Sequence, residues 1–76
     1  MARYNKVASC KTRAIKIAKN EMYQTHNCER LTEITIDKTS AFCVCGETNA
    51  VLIWAKIKGK YQQSERVGIC KNCGND

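Results

Sequence analysis

The feature that most constrains this chain is a pair of cysteine motifs, "CVCG" at residues 43–46 and "CKNCG" at residues 70–74. The chain has 76 residues, six of which are cysteines. A chain this short buries little apolar surface, and domains of this size often add a disulfide, a metal ion or a partner subunit. The cysteines therefore decide which folds are open to the chain.

The cellular compartment decides whether cysteines oxidise or bind metal. The N-terminal segment contains Lys or Arg every few residues, so it has no apolar run of signal-peptide length, and no segment approaches transmembrane length. An Arg-rich transit peptide is an alternative for this segment. We expect a reducing cytoplasm, no membrane partner, and cysteines that bind metal.

A predicted hairpin connects the two motifs. Residues 50–69 alternate like two strands around Lys58-Gly59-Lys60. A three-residue loop would pair Ile57 with Tyr61 and keep the apolar residues on one face, whereas a two-residue loop would turn Val67 to the other side. The predicted apolar face consists of Val51, Ile53, Ala55, Ile57, Tyr61, Val67 and Ile69.

A hairpin brings its two ends together, so the four sulfurs of Cys43, Cys45, Cys70 and Cys73 can converge. Four thiolates in a tetrahedral arrangement are a donor set that zinc favours in closed structural sites. The glycine after each pair suits a sharp turn, because glycine accepts a positive φ without steric cost. The sequence therefore predicts one structural Zn²⁺ held by these four cysteines.

Residues 41–76 resemble the zinc-ribbon family, in which two Cys-x-x-Cys-Gly knuckles hold one zinc beneath a two- or three-stranded sheet. The second knuckle matches that pattern in full, and the first has one residue fewer between its cysteines. The alternatives to zinc are a rubredoxin-like iron site, a thiol oxidoreductase and a secreted disulfide scaffold. A closed four-cysteine site has no open coordination position, so we do not expect an enzyme.

Two further elements are predicted outside the ribbon. Residues 6–26 have apolar residues at helical spacing, among them Cys10, with Asn5 as the N-cap and Asn27 at the end. Residues 31–37 alternate like an edge strand, with Ile34 and Ile36 on one face. A second metal site using Cys10, His26 and Cys28 would lack a fourth ligand, so we interpret them as two structural thiols and an exposed histidine.

The expected fold class is a small α+β domain, with an N-terminal amphipathic helix packed on a two- to three-stranded antiparallel zinc-ribbon sheet. It forms one domain over residues 1–76. Its parts are a basic helix at 1–28, a strand and connection at 29–40, and the ribbon at 41–76.

The positive charge is concentrated at one end. The net charge is +6, and residues 1–20 contain six basic residues, including Arg3, and no acidic one. Such a segment suits an anionic partner, although a solvated helix face is the plain alternative. Trp54 among cations could stack on a base, or it could pack beneath the helix. The candidate nucleic-acid-binding residues are Lys6, Lys11, Arg13, Lys16, Lys19, Trp54, Lys56, Lys58, Lys60 and Arg66.

Two functions are compatible with these features. The first is a small transcription-related regulator that binds DNA or RNA, with zinc as a staple. The second is a protein-interaction module that docks on RNA polymerase or another host protein, as small phage-encoded ribbons do. The fold alone does not decide between them.

Overall fold

The structure is a computed structural model that describes residues 5–74. One helix and five strands follow in chain order. Their bounds are β1 Lys6–Ala8, α1 Lys11–Thr25, β2 Thr32–Cys43, β3 Gly46–Ile57, β4 Lys60–Gln63 and β5 Val67–Ile69. The predicted Arg3 lies outside the described residues.

The strands form a mixed sheet in the order β1-β5-β3-β2, with β4 also paired to β3. All pairs are antiparallel except β1 with β5, which is parallel. The expected α+β class is confirmed, but the expected two- to three-stranded antiparallel sheet is too small. The structure adds β1 and the separate strand β5, and the N-terminal strand introduces the parallel pair.

Helix α1 is shorter than predicted, because the chain before Lys11 is extended. Cys10 is the N-cap residue with a φ of −152°, and residues 6–8 form β1 instead of the first helical turn. Val7 fits the helical spacing of the apolar residues, and this coincidence extended the predicted helix back to residue 6. The predicted end is close, since His26 is the C-cap and Asn27 has a φ of 48°.

A thin apolar core lies between α1 and the sheet, because α1 packs mainly on β3, β5 and β1. Its helical members, Ala14, Ala18 and Met22, are buried at spacings of four residues. The members from the strands are Ala8, Val51, Ile53, Ala55, Ile57 and Val67. The predicted apolar face is therefore largely confirmed, with Ile69 packed at its border, whereas Tyr61 is exposed and pairs with Lys56 on the other face.

The predicted three-residue loop is wrong, because Ile57 pairs with Lys60 across a two-residue turn. Lys58 and Gly59 both have positive φ, 51° and 84°, as a type I′ turn requires. Val67 still pairs with Val51 as predicted, since one extra residue between β4 and β5 restores the register. The chain thus combines the tighter turn with the expected core face.

Strand β2 continues well beyond the predicted residues 31–37 and ends at Cys43. It lies at one edge of the strand order, as predicted, and pairs along its length with β3. A positive φ of 50° at Glu33 accompanies a shift of register between Thr32 and Thr35. Among the described residues 5–74, no helix is long and apolar enough to cross a membrane.

Candidate metal centre

The first cysteine pair lies at the tight turn that joins β2 to β3. Cys43 is the last residue of β2 and pairs with Gly46, the first residue of β3, so Val44 and Cys45 form the turn itself. Gly46 has a φ of 113°, a conformation that side chains rarely adopt. A two-residue hairpin turn thus explains why one residue separates Cys43 from Cys45. Cys43 lies at the end of the strand, and Cys45 lies in the turn.

The second pair lies in a turn that follows β5. Gly74 donates its N–H to the carbonyl oxygen of Cys70 at 2.8 Å, which closes this turn around Cys73. Cys70 in turn donates its N–H to the carbonyl oxygen of Ala8 at 2.9 Å. The pair is therefore anchored to β1 as well as to β5.

The four sulfurs form one cluster, as predicted from the hairpin that connects the two cysteine motifs. The Sγ atoms of Cys43, Cys45, Cys70 and Cys73 all lie within 4.8 Å of one another. The Cys45 and Cys73 Sγ atoms are 3.5 Å apart. A tetrahedral ion with metal–sulfur bonds of about 2.3 Å would separate its sulfurs by about 3.8 Å. The cluster therefore has the dimensions to hold one metal ion.

The four thiols differ in environment. Cys43 is 4% exposed and Cys45 is exposed, while the other two are half-buried. Hydrogen bonding to the Cys73 side chain raises the pKa of the Cys45 thiol to about 11. The backbone N–H of Cys45 lowers the pKa of Cys73 to about 7, and desolvation raises that of Cys43. Without a metal ion, the cluster thus shares protons among its sulfurs, and Cys73 holds the negative charge most readily.

A segment that the sequence prediction assigned to the helix supports this centre. Asn5 donates its N–H to the carbonyl oxygen of Phe42 at 3.0 Å and accepts the N–H of Phe42 on its Oδ1 at 3.1 Å. These bonds hold the chain before β1 against the end of β2, next to Cys43. The sequence contains no clear sign of this arrangement, because the N-cap residue Cys10 makes no side-chain capping bond, whereas Asn5 is of a residue type that commonly caps helices.

Gly74 is needed for close packing, which differs from the role predicted for it. A Cβ atom at residue 74 would overlap the Ser9 backbone and would lie 2.5 Å from the carbonyl carbon of Ala8. The explanation by positive φ holds for Gly46 alone of the two. Gly74 lets the second cysteine turn rest directly on the segment that follows β1.

The predicted basic residues of the N-terminal segment have different environments. Lys11, Arg13 and Lys16 are exposed on α1, whereas Lys19 is half-buried. Lys6 belongs to β1, and its Nζ lies 3.8 Å from Glu21 Oε2. Three of the predicted basic residues are therefore exposed on the helix.

The predicted residues of the hairpin also separate into two groups. Lys58 and Lys60 are exposed beside Gly59 at the turn. Two other cations make contacts within the chain. Lys56 Nζ lies 3.5 Å from Glu33 Oε2 and 5.8 Å from the centre of the Tyr61 ring, and Arg66 donates to the carbonyl oxygen of Ser40 at 3.2 Å.

Trp54 is half-buried and lies outside the core that α1 covers. Its neighbours in β3, Ile53 and Ala55, belong to that core, so Trp54 points to the opposite side of the sheet. The interpretation that Trp54 packs beneath the helix is therefore wrong. The side chain belongs to the face that also carries Lys56.

Cys10, His26 and Cys28 do not form a second site. Cys10 and His26 cap opposite ends of α1, and the described residues contain one group of potential metal ligands, the four cysteines above. Cys10 is exposed, not part of the buried helix stripe, and His26 is half-buried, not exposed. Cys28 packs against the core as a structural thiol, with its Sγ 4.0 Å from the carbonyl oxygen of Met22.

No family model, curated protein or solved structure matches this chain. The site's own geometry and chemistry therefore carry the functional argument.

Proposed function

We propose that this chain is a zinc-stapled domain that binds the phosphate backbone of DNA or RNA through the exposed basic residues of α1. The metal part of the proposal rests on the donor set. The four thiolates would surround one ion as a closed tetrahedral shell, which is the arrangement of structural zinc sites and leaves no position for a substrate. Elemental analysis of the purified chain should find about one zinc per chain.

The observation that carries the binding function is the orientation of the only carboxylate in α1. The side chain of Glu21 is 15% exposed, and its Oε1 accepts the backbone N–H of Glu65 at 3.3 Å. Its other oxygen faces Lys6. Because Glu21 is turned inward, the exposed surface of α1 carries no carboxylate of its own. Arg13 and Lys16 lie on the side that faces away from the sheet, and Lys11 lies at the first turn beside Lys38.

A basic surface of this kind suits a polyanion better than a defined small ligand. Each cation that neutralises a phosphate releases counterions, so affinity is strongly salt dependent and largely independent of sequence. Lys58 and Lys60 add charge near the other end of α1, since Lys58 lies in the same surface depression as Asn27 and Cys28. Lys58 and Lys60 would extend the contact surface along the phosphate backbone of the nucleic acid.

The test is a binding titration at several salt concentrations, using generic duplex DNA and single-stranded RNA. Changing Lys11, Arg13 and Lys16 together to Ala should reduce the slope of log K against log salt by about 2.7, because each neutralised phosphate of duplex DNA contributes about 0.9 to that slope. The affinity of the unmodified chain for nucleic acid should fall steeply as the salt concentration rises.

A matched control replaces three exposed uncharged residues of the same helix, Thr12, Asn20 and Gln24, with Ala. This variant should bind as the unmodified chain does, because it keeps every charge. The proposal fails if the unmodified chain shows no affinity for either nucleic acid at low salt, or if the triple charge variant binds as well as the control.

A further inference from the structure

Among the described residues 5–74, one stretch of the outer edge of β2 has no backbone partner. Phe42 exchanges its backbone hydrogen bonds with Asn5, so its peptide groups point away from β3. Residues two apart on a strand share this orientation. The peptide groups of Ser40, Lys38 and Ile36 therefore also point outward, and the Ser40 carbonyl already accepts from Arg66.

Within the part of the chain that the structure describes, this edge has partners at one end and none along the rest. Asn5 and Arg66 occupy the outward groups of Phe42 and Ser40. From residue 32, where β2 begins, to the Ser40 N–H, no bond outside the β2–β3 ladder is made to the described backbone. We call residues 32–40 the free edge. A row of unpaired strand groups of this length is a template for another strand.

The side chains of the free edge are suited to a strand partner. Ile36 pairs with Ile53 and so lies on the helix side of the sheet. Because α1 packs mainly on β3, β5 and β1, Ile34 and Ile36 remain 40% and 41% exposed. The other side carries Thr35 and Asp37, both exposed.

We infer that the free edge of β2 pairs antiparallel with the same edge of a second copy of this chain, with a two-fold axis at Ile36. Residue 36 is the midpoint of the free edge. This register pairs the regular residues 35–37 of the two copies directly, and the irregular residues 32–34 of each copy face residues 38–40 of the other. An axis normal to the sheet keeps the same face up in both copies, which lets Ile36 of each copy pack on the other.

Charge selects the same register. Moving the axis to residue 37 would set Asp37 against itself, and moving it to residue 38 would set Lys38 against itself. An axis at residue 35 would place Glu33 opposite Asp37. Like charges directly opposite each other destabilise a strand pair, and the register centred on Ile36 avoids them, since it sets Asp37 opposite Thr35.

The charge of the free edge also allows two copies to approach there. The chain carries a net charge of +6, whereas the free edge contains two acidic residues and one basic residue. It is therefore a place on a basic protein where self-repulsion is small. Both α1 helices would lie on the same side of the joined sheet.

The experiment measures the mass of the metal-loaded full chain by sedimentation equilibrium over a range of concentrations. The unmodified chain should form a dimer of twice the monomer mass. Thr35→Asp places a carboxylate opposite Asp37 twice in the dimer and should weaken association by about tenfold. Thr35→Lys, at the same exposed position, should strengthen it by a similar factor.

Two further variants separate the edge from general stickiness. Ile36→Lys should abolish the dimer, whereas Gln24→Lys, which adds the same charge at an exposed position of α1 outside the free edge, should leave it intact. Metal content and circular dichroism check that each variant is folded. A chain that stays monomeric up to about 1 mM, or a dimer that responds equally to both Thr35 variants, overturns the inference.

Discussion

Gly74 shows how one residue can couple the N-terminal segment to the metal centre. Its would-be Cβ meets the backbone of Ala8 and Ser9, which cannot rotate away as a flexible side chain could. Gly74→Ala should therefore push the Cys73 turn away from β1 and lower the free energy of unfolding by about 1–3 kcal/mol. Metal affinity should fall as well, because Cys73 moves relative to the other three sulfurs.

Gly59→Ala provides the matched control for this prediction. Gly59 lies at the far hairpin turn, with a φ of 84° and nothing within 4 Å of an added Cβ. Its substitution strains the turn but should leave metal affinity unchanged. Denaturant titration and competition with a metal indicator measure the two effects, and equal metal affinity in both variants would show that the packing of Gly74 does not position Cys73.

At the scale of the elements, Ser64 holds the segment between β4 and β5 against β3. Its N–H donates to the carbonyl oxygen of Ile53 at 2.8 Å, and its Oγ accepts the N–H of Ile53 at 2.8 Å. The same hydroxyl donates to the carbonyl oxygen of Glu65 at 3.0 Å. Ser64 thus bonds both backbone groups of Ile53 at the point where the pairing of β3 changes from β4 to β5 and its register shifts by one residue.

Ser64→Ala should lower the free energy of unfolding by about 1–3 kcal/mol, because it leaves the buried N–H of Ile53 without an acceptor. Urea titration of the metal-loaded chain measures this loss. Ser40→Ala is the matched control, since the interaction of Ser40 with Arg66 uses the backbone carbonyl. Equal unfolding midpoints for the two variants would mean that water replaces the hydroxyl at no cost.

The same elements explain how far sequence patterns could predict the fold. The convergence of the four cysteines was predictable, because the two ends of a hairpin meet whenever its strands pair. The length of the loop was not, because the predicted register assumed uninterrupted strands and the extra residue near Ser64 interrupts them. Strand β1 was missed because a three-residue parallel strand has too few positions to show a period of two, and its partner β5 is distant in sequence.

On the scale of the whole molecule, stability depends on a core with few large side chains. Four of its nine buried members, Ala8, Ala14, Ala18 and Ala55, are alanines, and burial of a side chain stabilises in proportion to its apolar area. The proposed metal ion would therefore supply much of the folding free energy. Any condition that removes the metal ion should unfold the chain as a unit.

Acid is such a condition, because protons compete with the metal ion for the thiolates. The lowered pKa of Cys73 favours the folded metal-free chain at high pH, and this contribution is lost as pH falls through about 7. The raised pKa of Cys45 favours the folded chain at low pH, and this contribution is lost as pH rises toward about 11. Because these two contributions oppose each other, competition between protons and metal for the thiolates should dominate the pH dependence.

Near neutral pH, metal binding must displace the protons of Cys43 and Cys45, whose pKa values are both raised. Displacing these two protons alone makes the apparent zinc affinity rise about 100-fold per pH unit, and every further thiol proton that the metal ion displaces makes the rise steeper. Competition titrations with a metal indicator between about pH 6.5 and about pH 7.5 measure this slope, and circular dichroism should show the fold disappearing with the metal as pH falls. An affinity that stays constant over this range would mean that the thiols are already deprotonated in the metal-free chain. A fold that persists after metal release would show that the apolar core alone is sufficient.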